Sequence, residues 1–328
     1  MKKVLARANA NIALIKYWGK RDENLFLPTK SSLSVSLDAL ETKTELSFVD
    51  DGKDYILFDD IAASPSEVHK ISTFLDLLRK KLNLKKYFVV NTKNNFPTAA
   101  GLASSSSGFA ALTLAVNKLC GLNLSNRELS ILARQGSGSA CRSVFGGFVL
   151  WNKGVSDDGR DSFAEQIFDH MHWPEFRVLI VVTDSGQKLI SSREAMQNSL
   201  QTSPFYKTWV EDSETNLPLM QNNIAAKNII KVGLLAELDC LDMHKTMWTA
   251  HPPINYWTDS THKVIDTVLE LQNQKVPCFY TIDAGPNVKV ICLDKDVSFI
   301  KNRLQQESVV KNILTSKVAA DPVVEMIV

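Results

Sequence analysis

The sequence predicts an α+β protein, and three observations carry that expectation. Residues 42–48 alternate apolar and polar with period two, the pattern of a half-buried strand. Residues 65–82 instead place Val68, Ile71, Phe74, Leu75, Leu78 and Leu82 on one helical face. Strand and helix signals then recur without the regular alternation that builds a doubly wound sheet.

In order along the chain, Val4–Ala6 and Ile12–Ile15 read as strand, and Lys16 and Lys20 bracket Tyr17-Trp18-Gly19. Strands are expected near 32–37, 42–49 and 55–58. Ser64-Pro65-Ser66-Glu67 starts the helix, since proline in a first turn removes only an N–H that has no helical partner. A strand near 86–91 leads to Pro97, which disfavours helix just before it. From Leu102 onward, Phe109, Leu112, Val116 and Leu119 fall at helical spacing. Ser125-Asn126-Arg127-Glu128 has the form of a capping box. The glycine-rich stretch 135–143 breaks the pattern, and Gly146-Gly147 precedes a strand at 149–151. Residues 152–173 are polar and turn-rich, so the boundary is placed there, between an N-terminal lobe of 1–172 and a C-terminal lobe of 173–328. The second lobe should hold a strand at 177–183 and helices at 189–200, 217–238, 239–250 and 260–273. Strands near 278–283 and 287–292 and a tail that is helical and then extended should complete it.

The chain has 328 residues, 45% of them hydrophobic and 22% charged, which leaves room for one large or two medium domains. A net charge of +1 gives no footprint for nucleic acid or an acidic membrane, so neither is an expected partner. Five scattered cysteines without a CxxC indicate neither a zinc site nor a disulfide framework. With no signal-peptide pattern and no long apolar run, a cytoplasmic location is expected.

Four stretches carry candidate chemistry. There is neither a G-x-x-x-x-G-K-[ST] loop nor a G-x-G-x-x-G turn, so any phosphate site must be of another kind. Pro97–Ser107 is the candidate: small residues run into a helix N-terminus with four consecutive serines at its start. Backbone N–H groups, hydroxyls and the helix dipole would converge on an anion there, and the alternative is a plain serine-rich cap. Ser104 or Ser105 is placed to face a magnesium ion shared with phosphates. Ser137-Gly138-Ser139-Ala140-Cys141-Arg142 combines close backbone approach, hydroxyl donors and a planar guanidinium suited to carboxylate or phosphate. Cys141 is not taken as a nucleophile, because no motif supplies a paired histidine. Asp283 ends an apolar strand and either enters a cleft or simply starts the turn Ala284–Asn287. Lys16–Arg21 and Ser191–Arg193 are two further cationic or hydroxyl-rich anion contacts. His170 and His172 have a spacing that could chelate metal but no third ligand near, and are read as surface loop; His69, His244, His251 and His262 are read as structural.

Together these pieces resemble one family, the mevalonate diphosphate decarboxylases of the GHMP kinase superfamily. The likeness runs over essentially the whole chain, on Asn11–Arg21, Asn95–Leu112, Ser137–Gly147 and Asp283–Asn287. The Pro97–Ser105 core marks only the superfamily; the Lys16–Lys20 and Ser137–Ser143 blocks are more specific. The resemblance implies a two-lobed fold, an N-terminal lobe like ribosomal protein S5 domain 2 and a ferredoxin-like C-terminal lobe, with a deep cleft between them. It implies ATP- and Mg²⁺-dependent decarboxylation of diphosphomevalonate, and a homodimer. A small-molecule GHMP kinase that stops at the phosphate ester is the alternative. By motif, Asp283, Arg142, Lys16 and Ser105 are the catalytic set, with Ser105 also at the metal. The substrate falls to Tyr17, Trp18, Gly19, Lys20, Lys70, Ser137, Gly138, Ser139, Ala140, Cys141, Arg142, Ser192 and Arg193. ATP falls to Pro97, Ala100, Gly101, Leu102, Ala103, Ser104, Ser105 and Ser106.

Overall fold

The structure, a computed structural model, describes residues 2–96, 104–183 and 190–327. In chain order it forms β1 (Lys3–Ile15), β2 (Lys20–Asp22), β3 (Leu27–Pro28), β4 (Ser32–Val49), β5 (Tyr55–Phe58), β6 (Ile61–Ala62), α1 (Pro65–Leu82), β7 (Tyr87–Asn94), α2 (Ser104–Cys120) and α3 (Asn126–Gly136). A 3-10 turn over Gly138–Cys141 leads to β8 (Phe148–Trp151) and β9 (Ala164–Phe168). Then come β10 (Phe176–Val182), α4 (Ser192–Thr202), α5 (Tyr206–Ala225), α6 (Ile229–Trp248), α7 (Asp259–Asn273), β11 (Phe279–Ile282), β12 (Val288–Leu293), α8 (Val297–Gln305), β13 (Asn312–Ser316) and β14 (Val323–Ile327).

Two large sheets organise the described residues, and β2 and β3 pair separately as a two-stranded sheet. The first runs β14-β1-β4-β7-β5-β6, with β8 on the other part of β4 and β9 on β8. The second is antiparallel, in the order β11-β12-β10-β13. Burial explains the strand sequences. β1 alternates up to Ala10 and is buried throughout beyond it, because helices α1–α3 cover one face and a second core covers the other only there. That second core draws Ile12 and Leu14, Val178 and Ile180, and Met220 and Val232 into one cluster, so the two sheets share apolar packing. Leu179, Val181, Val288 and Val290 point the opposite way, into a third cluster with α7 and α8.

The capping box at Ser125 and the helix start at Ser64 form as the sequence predicts, and Ser64 also makes a capping box with Glu67. Several boundaries differ. The strands expected at 32–37 and 42–49 are one 18-residue strand, β4, whose polar Asp38 does not make a turn but accepts hydrogen bonds from Lys317 N and Ser316 Oγ. The helices expected at 217–238 and 239–250 divide instead at Ala226–Asn228. There Lys227 adopts φ +53° and Asn228 caps Lys231 N, while Pro218, a residue that suits a first turn, lies inside α5. Within the stretch read as linker, β9 pairs with β8. The extended tail is β14, which returns to the first sheet and pairs with β1.

Candidate active site

A cleft of about 640 Å³ is walled by the end of β1, the start of α2, the 3-10 turn, the start of α4 and the β11–β12 turn. Its most constrained wall is the end of β1. The Lys16 N–H donates to Asp239 Oδ2 of α6, whose other oxygen accepts from Ser213 Oγ of α5. Lys30 Nζ in turn donates to Ser213 Oγ at 2.6 Å, and burial pulls that lysine down to about 8. The backbone at Lys16 is thereby fixed by side chains from the C-terminal lobe. The Lys16 side chain, 1% exposed, donates to Asp283 Oδ1 at 2.8 Å. The carboxylate offsets part of the cost of burying that charge. Asp283 stands just past β11 because that strand ends at Ile282 and the chain turns there. Behind it on α6, His244 is buried and pulled down to about 3, so it remains neutral at physiological pH.

Arg142 follows the 3-10 turn and is 2% exposed. Its Nε and Nη2 both donate to Asn11 Oδ1, at 3.1 and 3.0 Å, and Nη1 donates to Ser32 Oγ at 2.7 Å. Asn11 is held in turn, donating from Nδ2 to Ser143 Oγ at 2.7 Å and to Ser139 O at 3.2 Å. Both partners of the guanidinium are neutral, so its charge is not cancelled and acts on whatever enters the cleft. Burial lowers its pKa, and Cys141, Asp283 and Tyr17 oppose that shift.

The rest of the wall is a set of donors. Gly138 allows Tyr17 to close on the 3-10 turn, since a Cβ there would lie 2.5 Å from the phenol oxygen. That hydroxyl is buried with no hydrogen-bond partner among the described residues, and burial raises its pKa, so it stays a neutral donor. Ser137 Oγ lies 3.3 Å from Ser105 Oγ and 3.5 Å from Ser139 Oγ. Lys20 Nζ, which also pairs with Glu23 at 2.6 Å, and the Arg193 guanidinium both pack on the ring of Phe26, at 5.0 and 5.1 Å from its centroid. Lys70 lies against Phe109. Among the described lining residues, Lys16, Lys20, Lys70, Arg142 and Arg193 are cationic and Asp283 alone is acidic, an arrangement for a multiply charged anion. The first turn of α2 carries no acidic residue, so its N-terminus and the Ser104 and Ser105 hydroxyls suit phosphate oxygens and a magnesium ion shared with them.

Of the residues singled out from sequence, Lys16, Tyr17, Trp18, Lys20, Lys70, Ser104, Ser105, Ser137, Gly138, Ser139, Arg142, Ser192, Arg193 and Asp283 line this one cleft. Pro97, Ala100, Gly101, Leu102 and Ala103 lie outside the described residues. Four others are not on the wall. Ser106, one residue further round α2 than Ser105, is wholly buried. Ala140 and Cys141 point into the first core, and burial pushes the Cys141 thiol up to about 12. Gly19, at φ +95°, makes room for Tyr206, whose hydroxyl donates to Trp18 O at 2.7 Å. Sequence reasoning missed Asn11 and Phe26 on the wall and Asp239 and Lys289 behind it. Lys289 had a signal, a charged residue inside an otherwise apolar strand; Asn11, Phe26 and Asp239 had none.

Comparison with known proteins agrees along the chain. Residues 8–164 match the family model described as diphosphomevalonate decarboxylase-like N-terminal domain, and residues 178–326 match the mevalonate 5-diphosphate decarboxylase C-terminal domain. The chain is 39% identical over 320 residues to the diphosphomevalonate decarboxylase of Gibberella zeae, covering 91% of this chain and 83% of that one. The solved structure of MDDEF in complex with MVAPP, AMPPCP and magnesium is 38% identical and superposes with a TM-score of 0.92 over 99% of both chains. The mevalonate diphosphate decarboxylase of Staphylococcus aureus is 36% identical, with a TM-score of 0.93 over 99% of this chain and 98% of that one.

Proposed function

The chain belongs to the diphosphomevalonate decarboxylase family, and from that premise we propose that it converts (R)-5-diphosphomevalonate and ATP to isopentenyl diphosphate, ADP, phosphate and carbon dioxide. The observation that carries the reading is the convergence of Lys16, Asp283 and Arg142 on one cleft, with Lys16 Nζ 2.8 Å from Asp283 Oδ1. A kinase that stopped at the ester would not need a buried, uncancelled guanidinium beside that pair.

The chemistry follows from the groups. A tertiary hydroxyl leaves poorly, so its oxygen must first take the γ-phosphoryl group of ATP. Departure of that phosphate draws the C3–O electron pair away. The electrons of the C1–C2 bond then form the C2–C3 double bond as carbon dioxide leaves. Asp283 orients the C3 hydroxyl and accepts its proton. Lys16 balances charge on the transferring phosphoryl group, and Arg142 grips the C1 carboxylate. Tyr17, Lys20, Ser137, Ser139, Ser192 and Arg193 hold the diphosphate, with Lys70 in the same cleft. Such transfer depends on positioning and charge neutralisation more than on covalent help from the protein. Ser104 and Ser105 hold the ATP phosphates, and Ser105 would hold magnesium, which supplies charge neutralisation on the phosphate oxygens. The 38% identical MDDEF, solved in complex with MVAPP, AMPPCP and magnesium, supports a reading in which substrate, nucleotide and metal are bound together.

The test is ATP-dependent release of carbon dioxide from diphosphomevalonate by the wild type and by Asp283→Ala. Release by the wild type and a rate lower by about 10³-fold or more in the variant are expected. ADP formation without carbon dioxide would point to the kinase alternative, and equal rates would remove Asp283 from the mechanism.

A further inference from the structure

β12 reads Val288-Lys289-Val290-Ile291-Cys292-Leu293, and Lys289 is its one charged residue. It sits inside the second sheet, opposite Thr281 of β11 and Ile180 of β10. Its side chain is 1% exposed. Charge in such a place is costly unless paired, and every other β12 side chain is apolar. The partner it approaches is Asp283: Lys289 Nζ lies 3.6 Å from Oδ2 and donates to Asn287 O at 3.2 Å. Lys16 holds Oδ1. Each oxygen of that carboxylate therefore has a lysine beside it; burial lowers the Lys289 pKa, and Asp283 opposes that shift.

The two lysines are not equivalent. Lys16 lines the cleft and Lys289 does not. Only Lys16 can turn to an incoming phosphate, and when it does, Asp283 faces a polyanionic substrate with one cation fewer. We propose that Lys289 is a positioning residue for the transfer step, holding the Asp283 carboxylate ionised and oriented while Lys16 engages the transferring phosphate. The assignment rests on the roles given above to Asp283 and Lys16. The other titratable groups around this pair do not substitute for it. Cys240 and His244 of α6 are buried and neutral, the thiol pushed up to about 11 and the imidazole down to about 3. Arg142 acts on Asp283 from a distance and is tied to Asn11 and Ser32.

The test uses the full chain with Lys289→Met, which keeps the length and removes the charge, beside Lys289→Gln. Carbon dioxide release by the wild type comes first; its absence would overturn the parent reading rather than this one. Given that release, kcat should fall about ten- to a hundredfold, a part of the full contribution of a positioned acid–base group. KM for diphosphomevalonate and for ATP should stay within about twofold, because the residue does not touch the cleft. The acidic limb of the kcat–pH profile should move up by about one unit, since a carboxylate that loses a neighbouring cation is easier to protonate. A wild-type kcat with an unmoved limb, or a rise in KM matching the loss, would overturn the assignment. Whichever variant folds, by thermal unfolding, is the one read. If neither folds, Lys289 is a structural ion-pair partner and the positioning role is withdrawn.

Discussion

Arg142 shows how much can depend on one side chain's shape. Three of its donors are already directed, two to Asn11 Oδ1 and one to Ser32 Oγ, and this fixes the plane of the guanidinium. An ammonium has no such plane and could satisfy only one of those acceptors at that length. Arg142→Lys should therefore leave circular dichroism unchanged and lower kcat/KM for diphosphomevalonate by about a hundredfold, roughly 2.7 kcal/mol of transition-state stabilisation. A variant with wild-type kcat/KM would show that charge alone suffices. Asp283 has a similar dependence on its setting. Its place at the end of β11 is a matter of strand length, and Lys16 and Lys289 give it its orientation.

At the scale of elements, α6 links the cleft to the second sheet, and one of its residues makes that link pH-dependent. Glu237 is 8% exposed, and its Oε1 accepts from Tyr280 N at 2.9 Å and Gln272 Nε2 at 2.7 Å. Burial pushes its carboxyl up to about 7, against those hydrogen bonds. The folded value lies above the unfolded one, so the native state holds a proton that the unfolded chain has released between about pH 4.3 and 7. The associated stability is present below that window and lost as pH rises through it. Glu237→Gln keeps the acceptor oxygen without the charge, so its gain over wild type should be about 2 kcal/mol larger at pH 8 than at pH 5. Denaturant unfolding at the two pH values checks this, and an equal difference at both would sink it. Nothing in the sequence announces Glu237, because burial of a helix glutamate depends on which face meets β11. The capping box at Ser125 was legible because its partner Glu128 lies three residues away. The same locality made the cleft loops legible: Lys16–Lys20 and Ser137–Arg142 each hold several ligand-type groups in a few residues. Asp239, 223 residues from Lys16 along the chain, gives no such sign, and the division between α5 and α6 rested on Lys227 adopting a left-handed backbone.

For the whole molecule, the notable feature is that, among the described residues, the chain crosses between its two large sheets twice. It passes from β9 to β10, and returns from β13 to β14 along β4 and the Gly146-Gly147 turn. Gly147 N–H donates to Ala319 O at 2.8 Å, Ala319 N–H donates to Ser36 O at 2.9 Å, and Gly146 N–H donates to Asp321 Oδ1 at 2.8 Å. The return is thus anchored before β14 begins. β14 itself buries little: Val323 is 53% and Met326 45% exposed. What it adds is a ladder along Lys3–Arg7 of β1, with Arg7 paired to Glu325. Ending the chain after Pro322 should cost only about 1–2 kcal/mol, since few apolar groups are lost. It would, however, leave the β1 edge with unpaired N–H and C=O groups, a template for another chain. The expected result is a small fall in the unfolding midpoint together with light scattering that rises with protein concentration. The turnover rate should hold, because Lys16 lies nine residues beyond Arg7, roughly 30 Å along an extended strand. A truncated protein that stayed monodisperse would assign the ladder no protective role. One that lost turnover without associating would mean that β14 helps set the position of Lys16 through β1.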